Sequence, residues 1–291
     1  MSSRVRRYES QVELSATGPR YRRRWLPPEP GRVMVLVHGY AEHSGRYDEM
    51  AMHFAERGFA VHAYDQAGHG RTRGPRGHVD RYDRLLDDLA RFVEIVRLEH
   101  PGLPLVVVGH SMGGLVTTAT AVHRRPAIDR LVLSGPALQA GSGGAADWGL
   151  RIRGLVARLL APLGPRASFA LGLDPEGLSR DPEVVRRYLD DPLVKDRMSA
   201  RFASGMLATV QAIGREAARV EVPTLLLHGA EDRICTAEGS EAFHAGLAPE
   251  IAAASALKIY PGLRHEIFQE PERHTIWQDM LDWLDADVEA S

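Results

Sequence analysis

The 291-residue sequence holds a single cysteine, Cys235. No internal disulfide is therefore available, which fits a reducing compartment. No run of about 18 apolar residues occurs, so no helix can span a membrane. The first thirty residues lack the apolar stretch that a secretory signal needs. Formal net charge is −2, and nothing in that balance calls for nucleic acid as a partner. Repeats are missing, and the sole low-complexity tract is the short "AGSGGAAD". These absences lead to a cytoplasmic protein as the expectation. One local excess stands against them, the N-terminal arginines Arg4, Arg6, Arg7, Arg20, Arg22, Arg23 and Arg24. Charge on an edge strand blocks aggregation. The competing reading is attraction to anionic lipid, but no amphipathic helix accompanies the arginines.

What is present is an ordinary globular composition, 44% hydrophobic and 25% charged, long enough for one large α/β domain over the whole chain. Two short alternating stretches, Gln11–Leu14 and Tyr21–Trp25, read as an antiparallel pair joined at "TGPR". Six continuous apolar runs follow: "RVMVLVHG", "FAVHAYDQAGHG", "LPLVVVGHS", "IDRLVLSGPA", "VPTLLLHGAEDR" and "ALKIYPGLRHE". Such runs suit strands buried on both faces of a parallel sheet. Helical patterns lie between them, most ended by glycine or proline, and "TIWQDMLDWLDADV" closes the chain. The alternation predicts a mostly parallel central sheet with helices on both faces.

Residues 138–207 interrupt it. Three helical patterns, "WGLRIRGLVARLLAPLG", "DPEVVRRYLDDPL" and "MSARFASGMLATVQAI", follow one another with no strand between. They read as a helical lid inserted over the carboxyl ends of the strands, where sites in open α/β sheets lie. The first is apolar on most sides (Leu150, Ile152, Leu155, Val156, Leu159, Leu160). It serves equally for packing on the main domain and for lining an apolar channel.

Gly109-His110-Ser111-Met112-Gly113 fits G-x-S-x-G between a predicted strand and a predicted helix, the setting of a nucleophile elbow. Small flanking residues let the backbone turn sharply, and the helix N-terminus favours a developing anion. A serine nucleophile needs a base, and the base needs an orienting acid. The chain order for an elbow of this kind is serine, acid, histidine. Asp232 after the fifth run is the better acid, with Glu231 its neighbour and rival. His265 is the histidine at a strand end downstream, whereas His244 and His274 fall in helical patterns. The tetrahedral oxyanion needs two backbone donors, assigned to the N–H groups of Met112 and Tyr40. The Tyr40 side chain reads equally as facing the pocket or as packed.

With these residues placed, the sequence resembles the monoacylglycerol lipase/lysophospholipase group of α/β-hydrolases, also described as serine aminopeptidase-like hydrolases. The motifs are "HGYAEHSGRY" (38–47), "YDQAGHGRTRGPRGHVDRYDRLLDDL" (64–89), "GHSMGG" (109–114), "HGAEDRICTAEGS" (228–240) and "YPGLRHEIFQE" (260–270). Departures are small: Ala41 where glycine is usual and Thr72 where serine is usual. The resemblance implies an α/β-hydrolase fold and the same triad, Ser111, Asp232 and His265. It also implies the same oxyanion donors, Tyr40 and Met112. The implied substrate is a small lipid ester, glycerol carrying one acyl chain, with no cofactor and no metal. Glu42, His43 and Arg46 then read as hydrogen-bonding supports of the oxyanion loop, with substrate-pocket residues or ordinary loop residues as the alternatives. Cys235 reads as a border of the alcohol-side pocket or as a small buried thiol. A lipid substrate would bring the chain transiently to a membrane surface through its lid. The alternatives are a lysophospholipase, a general carboxylesterase, a peptidase, or a ligand-binding protein without activity. Epoxide hydrolases and dehalogenases need a carboxylate where Ser111 stands and are set aside. Activity is expected to fall below about pH 6 as His265 protonates, from a free imidazole value of ~6.5.

Overall fold

A computed structural model describes residues 5–15, 18–139, 166–172 and 174–286. The chain opens with a hairpin, β1 (Arg6–Ser15) and β2 (Gly18–Leu26). Both strands run longer than the alternating pattern suggests, and Ser15 pairs with Gly18. Then come β3 (Arg32–Val37), helix α1 (Asp48–Ala55), β4 (Phe59–Tyr64), α2 (Arg84–Glu99), β5 (Leu105–His110), α3 (Met112–His123) and β6 (Arg130–Ser134). After the 138–207 region the sheet resumes with β9 (Thr224–Gly229), α6 (Ala237–Ala245), α7 (Pro249–Ala253), β10 (Ala256–Tyr260) and α8 (Arg273–Asp285).

The eight-stranded sheet has the order β1-β2-β4-β3-β5-β6-β9-β10. The hairpin is antiparallel, β2 joins β4 antiparallel, and the other pairings are parallel. The six apolar runs are these six parallel strands. Their side chains divide by parity, as a two-residue period requires. Val33, Val35, Val37 and Val107 face a cluster with α2 and α3. Met34, Leu36, Val106 and Val108 face one with α1 and α8. Helix α2 buries Leu85, Leu86, Leu89, Phe92, Val93 and Val96, a stripe at helical spacing. Fully burying a side chain of this kind stabilises the fold by about 1.5–3 kcal/mol relative to exposing it.

Between β6 and β9 the described residues are not helical throughout. The expectation of no strand is corrected by a small antiparallel pair, β7 (Ser168–Ala170) and β8 (Arg197–Ser199). Strands of three residues are too short to show a period. Helices α4 (Pro182–Asp190) and α5 (Ala200–Ile213) match the second and third helical patterns. Asp181 caps α4 by accepting from Glu183 N–H, and Ser199 caps α5 by accepting from Phe202 N–H. These are the side-chain types that satisfy orphan N–H groups at helix starts. The "AGSGGAAD" tract and the apolar pattern from Leu150 to Leu160 lie outside the described residues.

Five arginines of the hairpin are engaged within the chain. Arg20 pairs with Asp88 at 2.8 Å and Arg22 with Glu99, both guanidinium groups buried. Arg7 meets Asp48, Arg23 meets Glu9, and Arg24 lies over the Tyr8 ring. No helix among the described residues is long and apolar enough to cross a membrane.

Candidate active site

Ser111 stands between the end of β5 and the start of α3 with φ 55° and ψ −120°. That conformation is strained for a residue with a Cβ, and such strain gathers at functional sites. Three backbone bonds hold it. Ser111 N–H donates to Ser134 O at 2.9 Å, and its carbonyl accepts from Leu115 N–H and Ala137 N–H. The flanking glycines are needed because the turn is packed. A Cβ on Gly113 would lie 2.1 Å from Val37 O, and one on Gly109 would lie 2.7 Å from Gly113 O. The same closeness brings the start of α3 against the loop that follows β3. Met112 opens α3, whose first N–H groups have no partner within the helix.

Asp232 follows β9 and His265 follows β10. His265 Nδ1–H donates to Asp232 Oδ2 at 2.6 Å, with both side chains buried. With its proton on Nδ1, the imidazole keeps a lone pair on Nε2. Asp232 accepts three further bonds: Ile234 N–H and Cys235 N–H on Oδ1, and His228 Nε2–H on Oδ2. Burial would raise the carboxyl, but attraction to His265 and the histidine hydrogen bonds outweigh it and hold Asp232 well below the usual carboxylate range. Burial would likewise lower His265, but the Asp232 charge and hydrogen bond overcome it, and the imidazole lies above its ordinary value. Glu231 is exposed, its N–H bound to Leu263 O. His244 lies half-buried in α6, and His274 is exposed on α8.

The His110 ring packs 4.8 Å from the His265 ring, and its Nδ1–H donates to Ser134 O at 3.0 Å. Burial, with repulsion from His265, pushes His110 down to about 4, so at neutral pH it adds no charge beside the base. Cys235 is partly exposed, and the Ser111 hydroxyl lies beside its sulfur. Burial pushes the thiol up, out of the range in which it would ionise at neutral pH.

Around Tyr40 the loop is tied from several sides. Glu42 Oε1 accepts from Gly39 N–H at 2.5 Å and from Tyr47 OH at 2.8 Å, and Oε2 accepts from Arg46 at 3.1 Å. Burial opposes ionisation of Glu42, yet Arg46 and the neighbouring groups bring it down to about 2. Arg46 also grips Glu266, the residue after His265, with both Nη atoms at 2.6 and 2.7 Å. His43 Nδ1 accepts from Gly45 N–H, which leaves its proton on Nε2 to reach Asp191 Oδ2 at 2.8 Å. The Tyr40 side chain is packed. It touches His69 and Phe202, and its hydroxyl donates to Arg197 O at 2.6 Å. Ala41, where the resemblance leads one to expect glycine, takes φ 60°.

Sequence reasoning passed over His228, Glu266 and Asp191. His228 had a local signal, four residues before Asp232 at the end of an apolar run. The other two meet partners far along the chain.

Among the described residues one group has donor atoms spaced for a metal: His62, Glu99 and His100, within 4.8 Å of one another. Its chemistry argues otherwise. Arg22 donates to His62 Nδ1 at 2.7 Å and to both Glu99 oxygens. The His62 proton therefore sits on Nε2, directed at His100 Nε2 2.9 Å away. A metal would need that lone pair free, and a metal-binding histidine normally gives its other N–H to an acceptor, not to an arginine.

A strained serine at a strand-to-helix turn, beside a buried carboxylate–imidazole pair on a mostly parallel sheet, is the arrangement of the serine-dependent α/β-hydrolases. Within that class the chain belongs to the serine aminopeptidase S33 family of hydrolases, whose model matches residues 28–272. It is 37% identical over 263 residues to a monoacylglycerol lipase of Mycolicibacterium smegmatis, covering 89% of this chain and 90% of that one. Two solved structures resemble it closely. A monoacylglycerol lipase of Paleococcus ferrophilus superposes with TM-score 0.78 at 32% identity, covering 91% of this chain and 98% of the other. A soluble variant of the Saccharomyces cerevisiae monoglyceride lipase, in complex with a substrate analog, gives TM-score 0.84 at 26% identity, covering 95% and 94%.

Proposed function

We propose that the chain hydrolyses monoacylglycerols to a free fatty acid and glycerol through an acyl-enzyme on Ser111. The observation that carries the chemistry is the buried 2.6 Å bond from His265 Nδ1–H to Asp232, because it leaves Nε2 as the basic atom. His265 takes the hydroxyl proton as Ser111 Oγ bonds to the ester carbonyl carbon. The Tyr40 and Met112 N–H groups receive the oxyanion. Collapse of the intermediate breaks the C–O bond, and the glycerol oxygen leaves with the proton returned by His265. Water then repeats the sequence on the acyl-enzyme and frees Ser111. Glu42 and Arg46 keep the oxyanion loop in shape, and His43 ties it to α4. The substrate class is supported by what the relatives are called. The described part of the 138–207 region, α4 and α5, serves as a lid beside the site, and the chain meets lipid at a membrane surface from the cytoplasmic side.

The test is fatty-acid release from monoacylglycerols of several chain lengths and from matched lysophospholipids, for wild type and Ser111→Ala. Release from monoacylglycerols that Ser111→Ala abolishes is the expected result. Release from lysophospholipids alone would keep the triad and replace the substrate. Release undiminished in Ser111→Ala would overturn the mechanism.

A further inference from the structure

Glu270 ends the "YPGLRHEIFQE" motif and is fully buried, yet the chemistry above gives it no part. A buried carboxylate is costly unless hydrogen bonds satisfy it, and the donors here come from two different stretches of chain. Oε1 accepts from Arg264 N–H at 2.9 Å. Oε2 accepts from Ser179 Oγ–H and from Arg180 N–H, each at 3.0 Å. Arg180 Nε stands 3.5 Å from Oε2, while the other end of that guanidinium pairs with Glu272. One side chain thus bridges the loop carrying His265 and the segment at 176–180, which lies between β6 and β9.

The bridge is part of a longer seam. Three successive N–H groups of the His265 loop are held. Arg264 N–H goes to Glu270. His265 N–H goes to Gly177 O at 3.3 Å, and Glu266 N–H goes to Leu178 O at 2.7 Å. Arg264 Nη1 reaches back to Glu176 O and Ser179 O. The backbone of His265 is therefore fixed against the 176–180 segment, and the Glu270 side chain grips both.

Resting on the hydrolase reading above, the geometry points to Glu270 as a positioning residue for His265. It sets the place of the imidazole by pinning the Arg264 peptide to the turn at Ser179 and Arg180. It also makes that turn a fixed part of the catalytic framework. Glutamine is nearly isosteric, but its amide group would confront the two donors at Oε2 or the one at Oε1. It cannot satisfy all three, and the loop must shift.

A displacement near 1 Å at a catalytic group can lower a rate by about 100-fold. The experiment is kcat/KM against pH on a soluble short-chain ester for wild type, Glu270→Gln and Ser179→Ala. The rate of inactivation by a fluorophosphonate and the thermal midpoint are measured beside it. Glu270→Gln is expected to lose 10- to 100-fold in kcat with KM little changed. It should slow fluorophosphonate inactivation in parallel. Its acid limb should move toward pH 6.5, because the His265–Asp232 bond is no longer held at full strength. Ser179→Ala removes one of the three donors and should show a smaller loss in the same direction. A lowered thermal midpoint with wild-type kcat, acid limb and inactivation rate at 25 °C would reduce Glu270 to a structural residue and overturn the proposal. If Glu270→Gln does not fold, Ser179→Ala decides: a wild-type profile overturns the proposal, and a shifted one supports it. Failure of the underlying reading would show separately, as ester cleavage that survives Ser111→Ala.

Discussion

Asp232 carries four hydrogen bonds on two oxygens, and this determines how the imidazole responds to its replacement. Asp232→Asn keeps the volume but removes the charge and reverses one end of the group, so His265 loses the acceptor that fixes its tautomer. A fall of about 10⁴-fold in kcat is expected, the size seen when the acid of a serine triad is made an amide. The acid limb of kcat/KM should lie above pH 6.5 in the wild type, not near pH 6 as the free imidazole suggests. The sign follows from the role: the base must be neutral, and Asp232 raises the value at which His265 takes a proton. Activity is then lost at higher pH on acidification. A limb at or below pH 6 would refute the environment described. Ala41 offers a prediction of the opposite kind. Its φ of 60° costs a non-glycine residue roughly 1–2 kcal/mol. Part of this returns on Ala41→Gly, offset by the greater freedom of glycine in the unfolded chain. The variant should gain about 0.5–1 kcal/mol in urea unfolding, with activity retained.

Among the elements between β6 and β9, α4 is tied to the loop around Tyr40 from its C-terminal end. Asp191 follows its last turn and takes the His43 Nε2–H, while Tyr188 lies under the Arg46 guanidinium at 5.0 Å. Asp191→Asn weakens the first tie and leaves the second. It should reduce kcat/KM by about 5- to 10-fold, the effect of losing roughly 1 kcal/mol of hydrogen bonding to a positioning group, while the thermal midpoint changes little. A full wild-type rate would detach α4 from the loop's function. The same element shows where sequence reading stops. Five of the parallel strands were legible because they are buried along nearly their whole length on both faces, whereas β10, at the sheet edge, is half-buried with Lys258 exposed and was legible from its apolar neighbours. Ser111, Asp232 and His265 were legible because each stands where an apolar run ends. Strands β7 and β8 offered no such run. Glu266 bonds Arg46 across 220 positions, and Asp191 meets His43 across 148. Carboxylates that look like surface charge in sequence become buried partners only once the sheet brings their loops to one end.

Over the whole molecule, buried histidines govern the response to acid. Burial and nearby arginines hold His62 and His100 below the ordinary value. Burial lowers His38 and, with repulsion from His38, brings His69 to about 3. His110 lies at about 4. The unfolded chain takes protons at these positions near pH 6.5, while the folded chain refuses them. Their stabilising effect is complete above that pH and is lost as pH falls. His265 acts in the reverse sense, its contribution present below pH 6.5 and lost as pH rises through its folded value. Burial lowers His53 as well, and with six groups against one the urea midpoint should fall between pH 7 and pH 5. Glu42 and Asp232 add their own losses only below about pH 4, where carboxylates protonate. A midpoint constant over pH 5–7 would contradict this balance.

The strand order also dictates a timetable. A chain made from its N-terminus can assemble β1 to β6 around β3 and expose the Ser111 turn while β9 and β10 are still unmade. Asp232 and His265 follow those two strands, which add last, one after the other, at a single edge of the sheet. A chain that stops short of β9 holds the Ser111 hydroxyl and lacks both Asp232 and His265. A chain cut short before residue 265 should be inert toward esters however well its first six strands are formed.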